Sequence, residues 1–94
     1  MNGDTGQFTG TATILNQRGL HARAAAKFVK TAGGFKADIA VSRQGQTVSG
    51  HSIMGLMMLA ASTGCEIEIA CNGVDAQGAL DTLMELVANK FEEE

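Results

Sequence analysis

The chain has no proline, no tryptophan and no tyrosine, and of its 94 residues only four are Phe and two are Cys. Without Trp or Tyr it lacks an aromatic platform on which bases could stack. A net charge of −3 is equally ill-suited to a phosphate backbone, so nucleic acid is not an expected partner. No apolar run approaches the ~20 residues that cross a bilayer. The stretch Met1 to Thr13 is polar and threonine-rich rather than basic then apolar, which is not the pattern of a secretory leader. The expectation is a cytoplasmic protein without a membrane partner. The lack of proline, by contrast, excludes little.

Cysteine is scarce in an informative way. Cys65-Glu66-Ile67-Glu68-Ile69-Ala70-Cys71 alternates as a strand does, with both cysteines on the Ile67/Ile69 face. Such a strand holds them about 20 Å apart, whereas a disulfide needs Cα atoms within ~7 Å. They are expected as small buried hydrophobes in a reducing compartment. No Cys-x-x-Cys and no close histidine pair exists, so neither a metal site nor a cofactor is expected. The length bounds the rest: residues 1–94 make one domain with one core, too small for an enzyme with deep substrate and cofactor pockets.

What is present begins with Gly19-Leu20-His21-Ala22-Arg23. Ala24 to Ala32 reads as a short helix ended by Gly33-Gly34, which puts His21 at or beside the N-cap. Amides of a first helical turn lack intrahelical partners, and the dipole places partial positive charge there. An anion carried on the ring would meet ready donors, with Arg23 as a fixed cation. Neutral imidazole keeps one lone pair that can take up a phosphoryl group and release it. The helix supplies only about 0.3 to 1 kcal/mol at a surface site, so spacing alone leaves two readings open, a polar cap or a reactive ring.

Along the chain, Phe8, Gly10, Ala12 and Ile14 alternate with threonines as a first strand. In the helix that follows, Ala25, Phe28, Val29 and Ala32 face the core while Arg23, Lys27 and Lys30 form a basic strip. Ala37, Ile39 and Val41 mark a second strand, and Gly45 turns it into a short third from Gln46 to Ser49. Ser52 is expected to cap a brief helix, Ile53 to Ala61, stopped near Gly64. That helix is apolar nearly all round, so some of Ile53, Met54 and Met57 are expected to stay exposed as a docking face. After the Cys65–Cys71 strand, Asp75 is expected to cap a last helix with the stripe Ala76, Ala79, Leu80, Leu83, Val87 and Phe91. Glu92, Glu93 and Glu94 are expected to fray, with a place near the charged region as the alternative. The order β-α-β-β-α-β-α predicts an α+β open-faced β-sandwich, a four-stranded mainly antiparallel sheet with three helices on one face.

Two blocks, Gly19-Leu20-His21-Ala22-Arg23 with Ala25-Ala26-Lys27-Phe28-Val29, and Val48-Ser49-Gly50-His51-Ser52-Ile53-Met54-Gly55-Leu56-Met57, resemble the HPr family. These are the histidine phosphocarriers of the bacterial phosphoenolpyruvate-dependent phosphotransferase system. The resemblance extends from about Thr9 to Ala88. It implies that His21 accepts a phosphoryl group on Nδ1 from phosphorylated enzyme I and passes it to a histidine of an EIIA-type acceptor, with Arg23 holding the phosphoryl oxygens. It further implies that Ser52 is the target of an HPr kinase/phosphorylase, that Lys27, Lys30, Ile53, Met54 and Met57 meet the partners, and that the protein acts as a monomer. Ala24 stands where the family often has proline. The Ala24-Ala25-Ala26-Lys27 run looks more like proteobacterial versions that include nitrogen-related branches. Two other classes compete with the relay: a regulatory binding module switched at Ser52 without phosphoryl relay, and a small hydrolase, for which no nucleophile elbow or triad spacing exists.

Overall fold

Alternation and stripe turn into elements much as expected. The structure, a computed structural model, describes residues 7–93. Its order is β1 (Gln7–Thr13), α1 (Ala22–Ala32), β2 (Asp38–Arg43), β3 (Gln46–Ser49), α2 (Ile53–Met58), β4 (Glu66–Asn72) and α3 (Ala76–Ala88), closed by a 3-10 turn at Lys90–Glu92. The four strands lie in the order β1-β4-β2-β3, and every pairing is antiparallel. This is an α+β open-faced sandwich. No helix among the described residues is long and apolar enough to cross a membrane.

Register explains which sheet face is covered. Pairing Ala12 with Ile67 and Ile39 with Cys71 lines up the apolar residues of β1, β4 and β2 on one side, where Ala12, Ile67, Ile69, Cys71, Ile39 and Val41 are buried. Thr9, Thr11, Glu66 and Glu68 point the other way and are exposed, as a two-residue period demands. The helices supply the opposing layer through Phe28, Leu56, Leu83 and Val87, all fully buried. Each such side chain contributes about 1.5 to 3 kcal/mol by leaving water.

Three local expectations need correction. Asp75 precedes α3 but makes no capping bond; its Oδ2 instead accepts the Lys36 amide at 2.8 Å, tying the start of α3 to the segment before β2. The second helix ends at Met58 rather than Ala61, because Ala60 takes a left-handed φ of 53° that no helix can continue through. Phe91 is not on the α3 stripe. The helix stops at Asn89, and Lys90, Phe91 and Glu92 all have positive φ. That turn drives Phe91 into the core, where 1 % of it is exposed.

Candidate functional site

His21 is the N-cap of α1: its backbone is extended (φ −79°, ψ 180°), and its ring Nδ1 accepts the amide N–H of Arg23 at 3.3 Å. The opposite ring edge, Nε2, bonds Glu93 Oε2. A carboxylate can only accept, so the arrangement assigns the proton to Nε2 and leaves the lone pair on Nδ1. That lone pair already takes the Arg23 amide, at a helix end where a developing anion is stabilised. The histidine therefore caps the helix with its Nδ1 edge while Glu93 holds the opposite edge of the ring.

The loop before His21 is held by contacts far away in sequence. Gly19 has φ +69°, and a Cβ there would stand 2.6 Å from the Ala61 carbonyl oxygen. The bare backbone lets the next amide, that of Leu20, donate to that same oxygen at 2.8 Å. Fully buried Asn16 donates through Nδ2 to Gly19 O at 2.7 Å and to Glu93 Oε1 at 3.1 Å. One amide thus fixes both the approach to His21 and the carboxylate across from it.

Glu92 and Glu93 are consequently a correction to the frayed tail. Glu92 Oε1 accepts from Lys27 Nζ at 3.2 Å, and the side chains of His21 and Glu93 are only 18 % and 16 % exposed. Glu94 lies outside the described residues. Burial works to raise the Glu93 carboxyl, but hydrogen bonds from His21 and Asn16, with the positive charge of Arg18, hold it below the usual carboxylate range. The Lys27–Glu92 pair is exposed on both sides and contributes at most about 1 kcal/mol.

Together these side chains enclose a surface hollow of about 310 Å³, lined by His21, Arg23, Lys27 and the tail, and also by Arg18 and Gln17. Lys30, one turn further along, is exposed and lies outside it. Among the described residues Arg23 has no carboxylate within ion-pairing range, so its guanidinium is free to meet an anion. Sequence reasoning missed Arg18 and Asn16, and gave Glu93 a place near the charged region only as the alternative to fraying. Arg18 and Asn16 sit in a loop that no periodicity places, and the tail's position depends on a backbone reversal.

Ser52 stands apart as the N-cap of α2, its Oγ accepting the Gly55 amide at 2.9 Å. Beyond it Ile53, Met54 and Met57 are exposed by 39, 71 and 40 %, as expected of a short helix that is apolar nearly all round. Met58, at 66 %, widens the patch and was not singled out. The α2 and α1 helices pack against each other. His51 is exposed, and its Nε2 lies 3.2 Å from Ala37 O.

The site is thus a single imidazole at a helix N-terminus, in a shallow surface hollow shared with Arg18, Arg23 and Lys27. The family of the PTS HPr component phosphorylation site matches residues 8–89. The phosphocarrier protein HPr of Cupriavidus necator is 48 % identical over 81 residues, covering 86 % of this chain and 91 % of the relative. Among solved structures, HPr-C-His of Thermoanaerobacter tengcongensis superposes with a TM-score of 0.88 at 40 % identity, over 93 % of this chain and 98 % of that one. HPr of Bacillus anthracis gives 0.83 at 42 % identity, over 86 % and 96 %. The chain belongs to the HPr family of phosphocarrier proteins of the phosphotransferase system.

Proposed function

We propose that the protein relays a phosphoryl group, accepting it on His21 Nδ1 from phosphorylated enzyme I and handing it to a histidine of an EIIA-type acceptor. The observation that carries this reading is the two-edged grip on the ring, with Nδ1 turned to the helix amides and Nε2 held by Glu93. In acceptance the Nδ1 lone pair releases the Arg23 N–H and forms the new N–P bond while the donor's P–N bond breaks, its electron pair returning to the donor imidazole. Charge builds on the phosphoryl oxygens in transit, where Arg23 and the amides of the first turn stabilise it. The domain itself supplies no second reactant; specificity comes from docking.

In this reading Lys27 and Lys30 meet the acidic parts of partners, and Ile53, Met54 and Met57 their apolar parts, with the protein working as a cytoplasmic monomer. Ser52 serves as a regulatory phosphorylation site for an HPr kinase/phosphorylase. A phosphate there adds roughly −1.5 to −2 charge, which its own helix start accommodates and an acidic partner does not. Whether the acceptor belongs to a sugar or a nitrogen-related branch is decided by the same assay run with each EIIA type. Purified protein mixed with enzyme I and phosphoenolpyruvate is expected to gain one acid-labile phosphate, located by mass spectrometry on His21, and His21→Ala to gain none. Persistent labelling of that variant would sink the relay.

A further inference from the structure

The C-terminal turn, residues 90–93, lies beyond the span that the family match covers, residues 8–89, yet it supplies the carboxylate on His21. Glu93 is no passing contact. Its Oε1 is held by the buried Asn16 amide, which is itself anchored on Gly19 O, and Phe91 seats the turn in the core. Both carboxylate oxygens are thus engaged, one by a rigid donor and one by the imidazole.

Resting on the relay reading, we infer that Glu93 is a positioning residue that keeps a proton on His21 Nε2 through both acceptance and release of the phosphoryl group. Before transfer, the proton on Nε2 leaves Nδ1 as the nucleophile. Once the N–P bond forms, the ring carries phosphorus on Nδ1 and hydrogen on Nε2 and is therefore cationic. Glu93 balances that charge. On release the N–P bond breaks with its electron pair returning to Nδ1, and the ring departs as neutral imidazole, Nε2–H intact. Had the Nε2 proton been lost in between, the ring would have to leave as an imidazolide anion, a far poorer leaving group. No proton enters or leaves in the cycle.

The other charged residues lining the same hollow are Arg18, Arg23, Lys27 and Glu92. The three cations oppose retention of a ring proton, and Glu92 is already engaged by Lys27. Glu93 is the carboxylate in direct contact, so its removal unbalances the site. An opposite charge in contact shifts proton occupancy by about tenfold or more, and partial exposure places this pair at the lower end.

The test loads the full-length protein, Glu93→Gln and Glu93→Ala with phosphoramidate, a small phosphoryl donor that needs no enzyme I, and reads the ring nitrogens by 15N NMR at pH 8. The ratio of Nε2-protonated to unprotonated phosphohistidine is expected to fall about tenfold in both variants, and their phosphohistidine to hydrolyse more slowly than wild type. Matching amide spectra for the three proteins exclude misfolding as the cause. Equal protonation in all three overturns the inference, as does failure of phosphoramidate to load Nδ1, which would show that the ring is not open on that edge. Normal proton retention after phosphoramidate loading, combined with no phosphate gained from enzyme I and phosphoenolpyruvate, would remove the relay and leave the ring chemistry intact.

Discussion

Gly19 and Gly64 offer a matched pair for measuring how tightly the loop before His21 is held. Both have positive φ, +69° and +91°, so alanine is strained at either. An added Cβ at Gly64 meets nothing within 4 Å, while at Gly19 it meets Ala61 O at 2.6 Å and Ser62 Cα at 2.9 Å, both backbone atoms that cannot rotate away. Left-handed backbone costs alanine about 1 to 2 kcal/mol. Gly19 lies at the edge of the allowed left-handed region and Gly64 beyond it, so the dihedral cost is no smaller at Gly64. Relief of the clash at Gly19 requires the two loops to part, which breaks the Leu20–Ala61 hydrogen bond at about 1 kcal/mol and opens packing around Leu20. Gly64→Ala is therefore expected to lose about 2 kcal/mol, from the dihedral alone, and Gly19→Ala about 3 to 4, the sum of the dihedral and the broken bond with its packing. Urea unfolding of the three proteins, with slopes compared for two-state behaviour, gives both values. In a domain of this size each kcal/mol moves the thermal midpoint by about 4 to 8 °C, so the two variants separate clearly. A Gly19→Ala loss equal to or below that of Gly64→Ala would refute the close approach as the reason for glycine beside the reactive histidine.

Two further outcomes test other parts of the chain. Ser52→Ala removes the bond to the Gly55 amide and is expected to cost about 1 kcal/mol in a thermal melt, whereas Ser52→Asp keeps an acceptor at the cap, retains that stability and slows phosphorylation of His21 by enzyme I. An unchanged rate in Ser52→Asp uncouples the two sites. In native protein iodoacetamide is expected to label Cys65 well before Cys71. Cys65 is partly exposed, and its thiol is held low by side-chain and backbone hydrogen bonds involving Ser62, against the opposing pull of burial, with Arg43 helping. Cys71 is buried and its thiol is pushed up by that burial. Comparable labelling rates, read by mass spectrometry, would contradict that difference.

Local pattern carried much of this molecule. The alternation of Cys65–Cys71 predicts a strand with Ile67, Ile69 and Cys71 inward, and β4 forms over Glu66–Asn72 with that face buried, leaving Cys65 before the strand and only partly buried; His21 and Ser52 cap the helices whose starts they mark. Each of those features is decided within a few residues. Asp75 misled for the opposite reason: its backbone, at φ −101° and ψ 21°, departs from the extended cap conformation, and its carboxylate is claimed by Lys36, 39 positions away in sequence. Phe91 lies four positions after Val87 and so satisfied a helical stripe, yet the chain reaches the same core by reversing at Asn89.

The same division runs through the site. His21 and the amides of the helix it caps belong to one short stretch, so the motif carries them together wherever it folds. The partner of Nε2 comes from 72 residues further along, and the amide that holds that partner from a loop five residues upstream of His21, itself tied to the segment after α2 by the hydroxyl of Thr63 on Gln17 O at 2.9 Å. Nothing in the motif encodes that convergence. Two chains can thus share the phosphorylation block residue for residue and still differ in how firmly the phosphoryl group is held, because the charge set against the second ring nitrogen is supplied by a tail the block does not contain.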